Sequence, residues 1–165
     1  MFTIYGALNA LATYRCAELP ASSARFNVQF SPLSAVVAEA VVKGLQGDDV
    51  SKKDKLLSCA KHYIGYGASE GGRDYQTTQI TDYSLRNAYL SAFRAAIEKD
   101  VATVMSSFND IDGDPVSGSA YYIRQILKEE LGFNGFVVSD WGSIVKLKVQ
   151  GVAADNKECA EIAMN

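Results

Sequence analysis

Along this chain, stretches with apolar residues at successive or alternate positions take turns with stretches where they recur every three to four. The first kind predicts strands and the second amphipathic helices. Arg25-Phe-Asn-Val-Gln-Phe30 alternates apolar and polar side chains and stops at Ser31-Pro32. From Leu33 to Leu45, apolar residues at 33, 36, 37, 40, 41 and 45 form a helical stripe that ends at Gly47. Leu56-Leu-Ser-Cys-Ala-Lys-His-Tyr63 predicts a short buried strand opening into a glycine-rich loop. Thr81 or Asp82 supplies an N-cap for a long helix with Leu85, Tyr89, Leu90, Phe93, Ala96 and Ile97 on one face. Val101 to Phe108 is a second such strand, and Asn109-Asp-Ile-Asp-Gly-Asp-Pro115 is dense in turn formers. Tyr122, Ile123, Ile126, Leu127 and Leu131 mark another amphipathic helix, stopped by Gly132. Gly135-Phe-Val-Val-Ser-Asp140 is the most continuous apolar strand, and a final helix covers Asn156 to Met164.

Strands and helices alternating over connections of this length imply an α/β class with parallel strands and right-handed crossovers. About four βα units can be counted. At 165 residues and ~150 residues per domain, the chain is one domain with at most a short arm. A doubly wound open sheet fits this length, whereas a closed eight-stranded barrel takes ~250 residues. Periodicity alone leaves a small open sheet and half a barrel both open. No internal repeat, low-complexity tract or linker divides the chain.

Composition narrows the function classes. Apolar residues at 48% and charged residues at 21% exclude wholesale disorder. No apolar run approaches the ~20 residues of a membrane span. The start, MFTIYGALNALATYRC, has no basic n-region and meets Arg15 early, which argues against a cleaved signal peptide and leaves the compartment undetermined. Sixteen basic residues face nineteen acidic ones without a basic block, so neither nucleic acid nor an anionic membrane is an expected partner. Three cysteines (Cys16, Cys59 and Cys159), odd in number and far apart, do not make a disulfide framework.

Candidate chemistry gathers at the C-terminal ends of the expected strands: Lys61-His62, Ser106-Ser-Phe-Asn109 and Ser139-Asp-Trp141. In parallel α/β folds, ligands bind at that edge. Each motif taken singly has an ordinary structural explanation. His62 can be a hydrogen-bonded core histidine, Asp140 a helix N-cap, and Arg73 with Asp74 and Glu70 a loop ion pair. Other chemistries fit less well. Gly65-Tyr-Gly67 runs on to Glu70 where a dinucleotide fingerprint needs glycine, and no Gly-Lys-Ser/Thr follows. Ser117 lies in Pro115-Val-Ser-Gly118 rather than in a nucleophile elbow. Cys59 and His62 lack two further ligands at zinc spacing. No metal or organic cofactor is implied.

In combination the motifs are more specific. Lys61-His-Tyr-Ile-Gly-Tyr-Gly67, Glu70-Gly-Gly-Arg-Asp-Tyr75, Val104-Met-Ser-Ser-Phe-Asn109 with Gly113, and Leu131-Gly-Phe-Asn-Gly-Phe-Val-Val-Ser-Asp-Trp141 stand in order along the chain. Together they resemble glycoside hydrolase family 3, in particular its bacterial β-glucosidase branch. The resemblance runs from about Phe26 to the end. It implies residues 26–165 as part of a (β/α)₈ TIM-type barrel domain, with 1–25 a poorly matched N-terminal segment.

Carried over residue by residue, the resemblance implies Asp140 as the nucleophile of retaining hydrolysis of terminal β-D-glycosyl residues, through a covalent glycosyl-enzyme. Trp141 is then one wall of the sugar subsite, while Lys61, His62 and Arg73 bind sugar hydroxyls. Phe108 stands where many relatives have a tyrosine, so a hydroxyl contact is lost there. The chemistry suits the residue types: a strand end holds a carboxylate rigidly, charged donors suit hydroxyls, and an aromatic suits the apolar sugar face. Gly71-Gly-Arg-Asp74, with no second histidine, sides with glucosidases or xylosidases rather than the N-acetylglucosaminide branch.

Departures from the family pattern set further expectations. After Phe30-Ser-Pro-Leu33, about 20 family-like residues with a substrate-binding arginine have no counterpart, nor does an early sugar-binding aspartate. Retaining hydrolysis needs a second carboxyl about 5–5.5 Å from the nucleophile, and in the family it comes from beyond the barrel. The resemblance therefore implies an incomplete barrel that is weak or inactive alone. Its open sheet edges are expected to self-associate or to meet a missing complementary domain. The alternative from another class is a non-catalytic carbohydrate-binding or structural remnant.

Overall fold

The computed structural model describes residues 31–73 and 75–164. The expected strand at Arg25–Phe30, Cys16 and Asp74 therefore lie outside the described residues. Helix α1 (Ser31–Gln46) precedes strand β1 (Cys59–Tyr63). A continuous helix α2 (82–97) follows, in which a wide π-type segment, Leu85–Tyr89, joins two α-helical pieces. Strand β2 (Thr103–Ser106) leads to a small hairpin of β3 (Asp110–Ile111) and β4 (Asp114–Pro115). Helix α3 (Tyr121–Glu130), also of π type, strand β5 (Phe136–Ser139) and helix α4 (Asn156–Met164) complete the order.

β1, β2 and β5 form a three-stranded parallel sheet in that order, with α2 and α3 as the connections between successive strands. The alternation of strand and helix is thus as the sequence implied, and three parallel strands are present among the described residues. The strands are shorter than their apolar runs. Leu56 and Leu57 remain 44% and 56% exposed ahead of β1, so only Cys59–Tyr63 of the expected 56–63 strand pairs. The run at 135–140 differs more. A continuous apolar strand is normally covered on both faces, yet Phe136 is exposed and the rest of β5 only half-buried. β5 pairs with β2 alone among the described residues. The turn formers at 109–115 do turn, but they also pair. Asp110 lies opposite Pro115 and Ile111 opposite Asp114, and an Asp110 carboxylate oxygen accepts the Gly113 N–H at 2.9 Å.

The helices follow their stripes unequally. Thr81 caps α2, its hydroxyl oxygen accepting the Ser84 N–H at 3.2 Å. Leu85, Leu90 and Ala96 are buried, with Tyr89, Phe93 and Ile97 packed beside them. In α3, Tyr122, Ile126 and Leu127 are buried, and the helix ends at Gly132 with φ 71. In α1 the buried line is Ala38, Val42 and Gln46, while Leu33 and Val36 of the expected stripe are exposed. This helix carries apolar residues on nearly every side, so its periodicity does not select a face. Packing against α2 does. Each fully buried leucine or isoleucine here contributes ~1.5–3 kcal/mol from the apolar surface it withdraws from water.

Gln46 shows how the helix layer is fixed to the sheet. Its buried side-chain oxygen accepts from the Ser58 N–H at 3.1 Å, from the Ser58 hydroxyl and from the Ala102 N–H at 2.9 Å. Its amide nitrogen donates to the Asp100 carbonyl at 2.8 Å. One side chain thereby holds the entries to β1 and β2 in register at the edge opposite the candidate site. Gly135 is required at the entry to β5, because a Cβ there would stand 2.3 Å from the Ala102 carbonyl oxygen.

Candidate active site

The strand ends are brought level by the sheet register. Ser106 lies beside Ser139 on one side and Tyr63 on the other. Backbone bonds continue past the strands: the Ser107 N–H donates to Tyr63 O at 2.6 Å, and the Asp140 N–H to Ser106 O at 3.3 Å. Pairing of β1 with β2 slips at His62, which has no opposite number between Lys61↔Met105 and Tyr63↔Ser106. The Lys61–His62 and Tyr63–Ile64 peptide bonds are cis.

This geometry brings two of the sequence candidates together. His62 Nε2 lies 3.0 Å from Asp140 Oδ2, with the side chains only 4% and 14% exposed. The other carboxylate oxygen, Oδ1, accepts the Trp141 N–H at 2.7 Å. A withdrawn carboxylate needs partners to offset lost hydration, and here each oxygen has one. The result is a carboxylate fixed in orientation at the C-terminal end of β5. His62 is buried, as expected of a hydrogen-bonded core residue, whereas Asp140 caps no helix: turns follow it, and its Oδ1 accepts from the N–H of the next residue.

Beneath the pair runs a cluster of hydroxyls. The Ser143 N–H and hydroxyl both donate to the Asp140 carbonyl, at 3.1 and 3.2 Å. Ser117 Oγ lies 3.0 Å from Ser143 Oγ, 2.8 Å from Ser106 Oγ and 3.0 Å from the Ser107 carbonyl. A serine hydroxyl donates one hydrogen bond and accepts others, so Ser117 donates either to Ser143 Oγ or to the Ser107 carbonyl and can accept from the Ser106 hydroxyl. Ser117 lies 3.0 Å from Ser143 in the turn that follows Asp140.

The remaining candidates stand around the pair. Lys61 is half-buried, with Nζ 3.6 Å from Met105 Sδ on the neighbouring strand. Trp141 projects from the turn and is 89% exposed. Phe108 is half-buried and linked to His62 through Tyr66: the Phe108–Tyr66 centroids are 6.1 Å apart and the Tyr66–His62 centroids 5.1 Å. Tyr75 packs edge-on against Phe108 at 4.3 Å. Arg73 is exposed on the loop that carries Tyr75. Glu70 accepts from Gln79 Nε2 at 3.0 Å, and no Glu70–Arg73 ion pair forms among the described residues.

Tyr66, Tyr75, Ser117, Ser143 and Lys146 were not singled out as site residues by the sequence. Tyr66 and Tyr75 lie inside the quoted motifs and Ser143 lies just past one, which was the available signal. Lys146 had none. Among the described residues, no three His, Cys, Asp or Glu side chains gather so as to hold a metal ion. No described helix is long and apolar enough to cross a membrane. Cys59 and Cys159 are buried and free, and burial pushes the Cys59 thiol up, away from reactivity.

Comparison with known proteins places the chain in a family. The glycosyl hydrolase family 3 N-terminal domain matches residues 27–164, and the chain belongs to that family. It is 31% identical over 132 residues to a periplasmic β-glucosidase of Salmonella typhimurium, covering 80% of this chain and 17% of the relative. It is 39% identical over 116 residues to a xylan 1,4-β-xylosidase of Xylanibacter ruminicola, covering 68% and 13%. Among solved structures it superposes on a β-glucosidase from Listeria innocua in complex with glucose. The TM-score there is 0.76 at 34% identity, over 79% of this chain and 18% of the other. The chain thus spans less than a fifth of the length of these relatives.

Proposed function

We propose that the chain carries the nucleophile side of a β-glucosidase-type retaining site, within part of a (β/α)₈ barrel. The observation that carries this reading is the His62–Asp140 pair, a nearly buried carboxylate with both oxygens engaged at the C-terminal end of a parallel sheet. A nucleophilic carboxylate must be held in line with the anomeric carbon, and this pairing fixes its orientation.

The reaction proceeds in two displacements. An Asp140 oxygen attacks the anomeric carbon as the glycosidic C–O bond breaks, its electron pair leaving with the departing oxygen. Water then attacks the same carbon and loses a proton to solvent as the ester C–O bond breaks, returning the carboxylate and releasing the sugar with its configuration retained. Lys61 and Arg73 donate hydrogen bonds to sugar hydroxyls, Trp141 covers the apolar sugar face, and Phe108 closes the side where a tyrosine hydroxyl is absent. His62 orients Asp140 and faces the bound sugar. No residue of this chain is assigned as the acid that protonates the leaving oxygen. The substrate class is a terminal β-D-glucoside or β-D-xyloside, in keeping with what the named relatives act on.

The test is release of 2,4-dinitrophenolate from its β-glucoside by the purified chain, beside Asp140→Asn. This leaving group departs without protonation, so a missing acid does not mask a working nucleophile. A burst that disappears in Asp140→Asn is expected. Silence from folded chain, with sugar binding retained, would instead establish a carbohydrate-binding remnant.

A further inference from the structure

The contacts around the Asp140–His62 pair close into a circuit, and the closing link is a residue outside every sequence motif. Lys146 Nζ sits 3.0 Å from the centroid of the Tyr75 ring. Tyr75 rests edge-on against Phe108, Phe108 approaches Tyr66, and Tyr66 lies against His62. Lys146 returns the circuit to Asp140 through its own segment, its N–H donating to the Gly142 carbonyl at 3.1 Å. The same segment reaches Phe108 a second time, where Gln150 Nε2 donates to the Phe108 carbonyl at 3.1 Å.

Tyr75 is held rather than merely placed. Its φ of 68° lies in the left-handed region, which a bulky side chain does not choose on backbone preference alone. The two contacts on its ring, Phe108 on an edge and Lys146 over the ring, supply the missing preference. A lysine over a tyrosine face is attracted by the ring quadrupole, and this contact joins two loops that the sheet does not otherwise connect. One loop carries Arg73, two residues before Tyr75. The other begins with Asp140.

We propose that Lys146 is a positioning residue: seated on the Tyr75 ring, it fastens the Arg73 loop to the segment headed by Asp140 and fixes the separation of those two groups. The sugar-binding consequence rests on the glycoside reading of the site; the clasp itself does not.

The experiment uses the full chain with Lys146→Arg, which keeps a cation for the ring, and Lys146→Met, which keeps bulk and removes charge. Hydrogen–deuterium exchange is followed in residues 66–79, with 121–130 as internal control. Lys146→Met is expected to exchange roughly 3-fold faster over 70–76, in line with a contact of this kind, while Lys146→Arg matches the parent and 121–130 stays unchanged. Tyr75→Leu, which removes the ring instead, reproduces the Lys146→Met result. In parallel, glucose is titrated against Trp141 emission, and Lys146→Met is expected to bind several-fold more weakly than Lys146→Arg. Exchange in Lys146→Met equal to the parent, or Lys146→Arg behaving like Lys146→Met, overturns the clasp. The expected exchange pattern with no glucose binding by any form keeps the clasp and overturns the glycoside reading.

Discussion

His62 in β1 and Asp140, one residue past β5, meet at 3.0 Å between an imidazole nitrogen and a carboxylate oxygen. The contact depends on the register slip at His62 in β1 and on the ladder bond that carries Asp140 one residue past β5. A neutral imidazole can donate this bond as well as a protonated one, so the pairing serves orientation as much as charge.

Replacing His62 by alanine leaves Asp140 Oδ2 without its imidazole partner while the Trp141 N–H still holds Oδ1. A small misplacement of a reacting group can cost about 10²-fold in rate. The dinitrophenolate burst from His62→Ala is therefore expected to slow about 10- to 100-fold, with far-ultraviolet circular dichroism unchanged. An unaltered burst would show that Asp140 is positioned by its own turn alone.

Gln46 is expected to be among the most sensitive positions for stability. Gln46→Leu removes the acceptor for the Ser58 and Ala102 N–H groups and the donor to the Asp100 carbonyl. Buried polar groups left unpaired cost ~1–3 kcal/mol each before relaxation. A loss of about 2–4 kcal/mol is expected by urea denaturation, compared with under ~0.5 kcal/mol for a surface change such as Lys157→Ala.

Stability should decline at alkaline pH, and Tyr63 should account for part of the slope. Its phenol is fully buried and donates to the Tyr122 carbonyl at 2.9 Å, and burial pushes its pKa up. Because the folded value is raised, the folded chain holds a proton that the unfolded chain releases above about pH 10. The stabilising contribution is complete below that pH and is lost as pH rises toward the folded value. Cys59, raised for the same reason, acts in the same direction from about pH 8.5 upward. Tyr63→Phe is expected to cost about 1–3 kcal/mol at neutral pH. It should also flatten the decline in denaturation midpoint between about pH 9 and 11.

Much of the fold was legible in one dimension. Thr81 at the start of α2, Gly132 at the end of α3 and the apolar stripes of both helices act through neighbours a turn away, so local sequence is enough to encode them. The strand-end motifs were legible for a related reason: in a parallel α/β fold, residues that follow a strand fall at one edge whatever the rest of the sheet does. What misled was apolar content without direction. The run at 135–140 is the most continuous apolar one, yet Phe136 is exposed and the rest of β5 only half-buried, and α1 offers nearly every side as a core face. Neither β5 nor α1 states its neighbours in its own residues.

By itself, then, the sequence determined the order of strands and helices over residues 31–164, where α2 begins and α3 ends, and that Lys61, His62, Phe108, Asp140 and Trp141 lie at or just past the strand ends. The tertiary structure alone decided that His62 faces Asp140, that Gln46 holds two strand entries, and that Lys146 reaches Tyr75. The physical reason is the range of the interactions. Capping and periodicity act within a turn or two, whereas these contacts join segments tens of residues apart, and strand register with helix packing must be fixed before any of them can form.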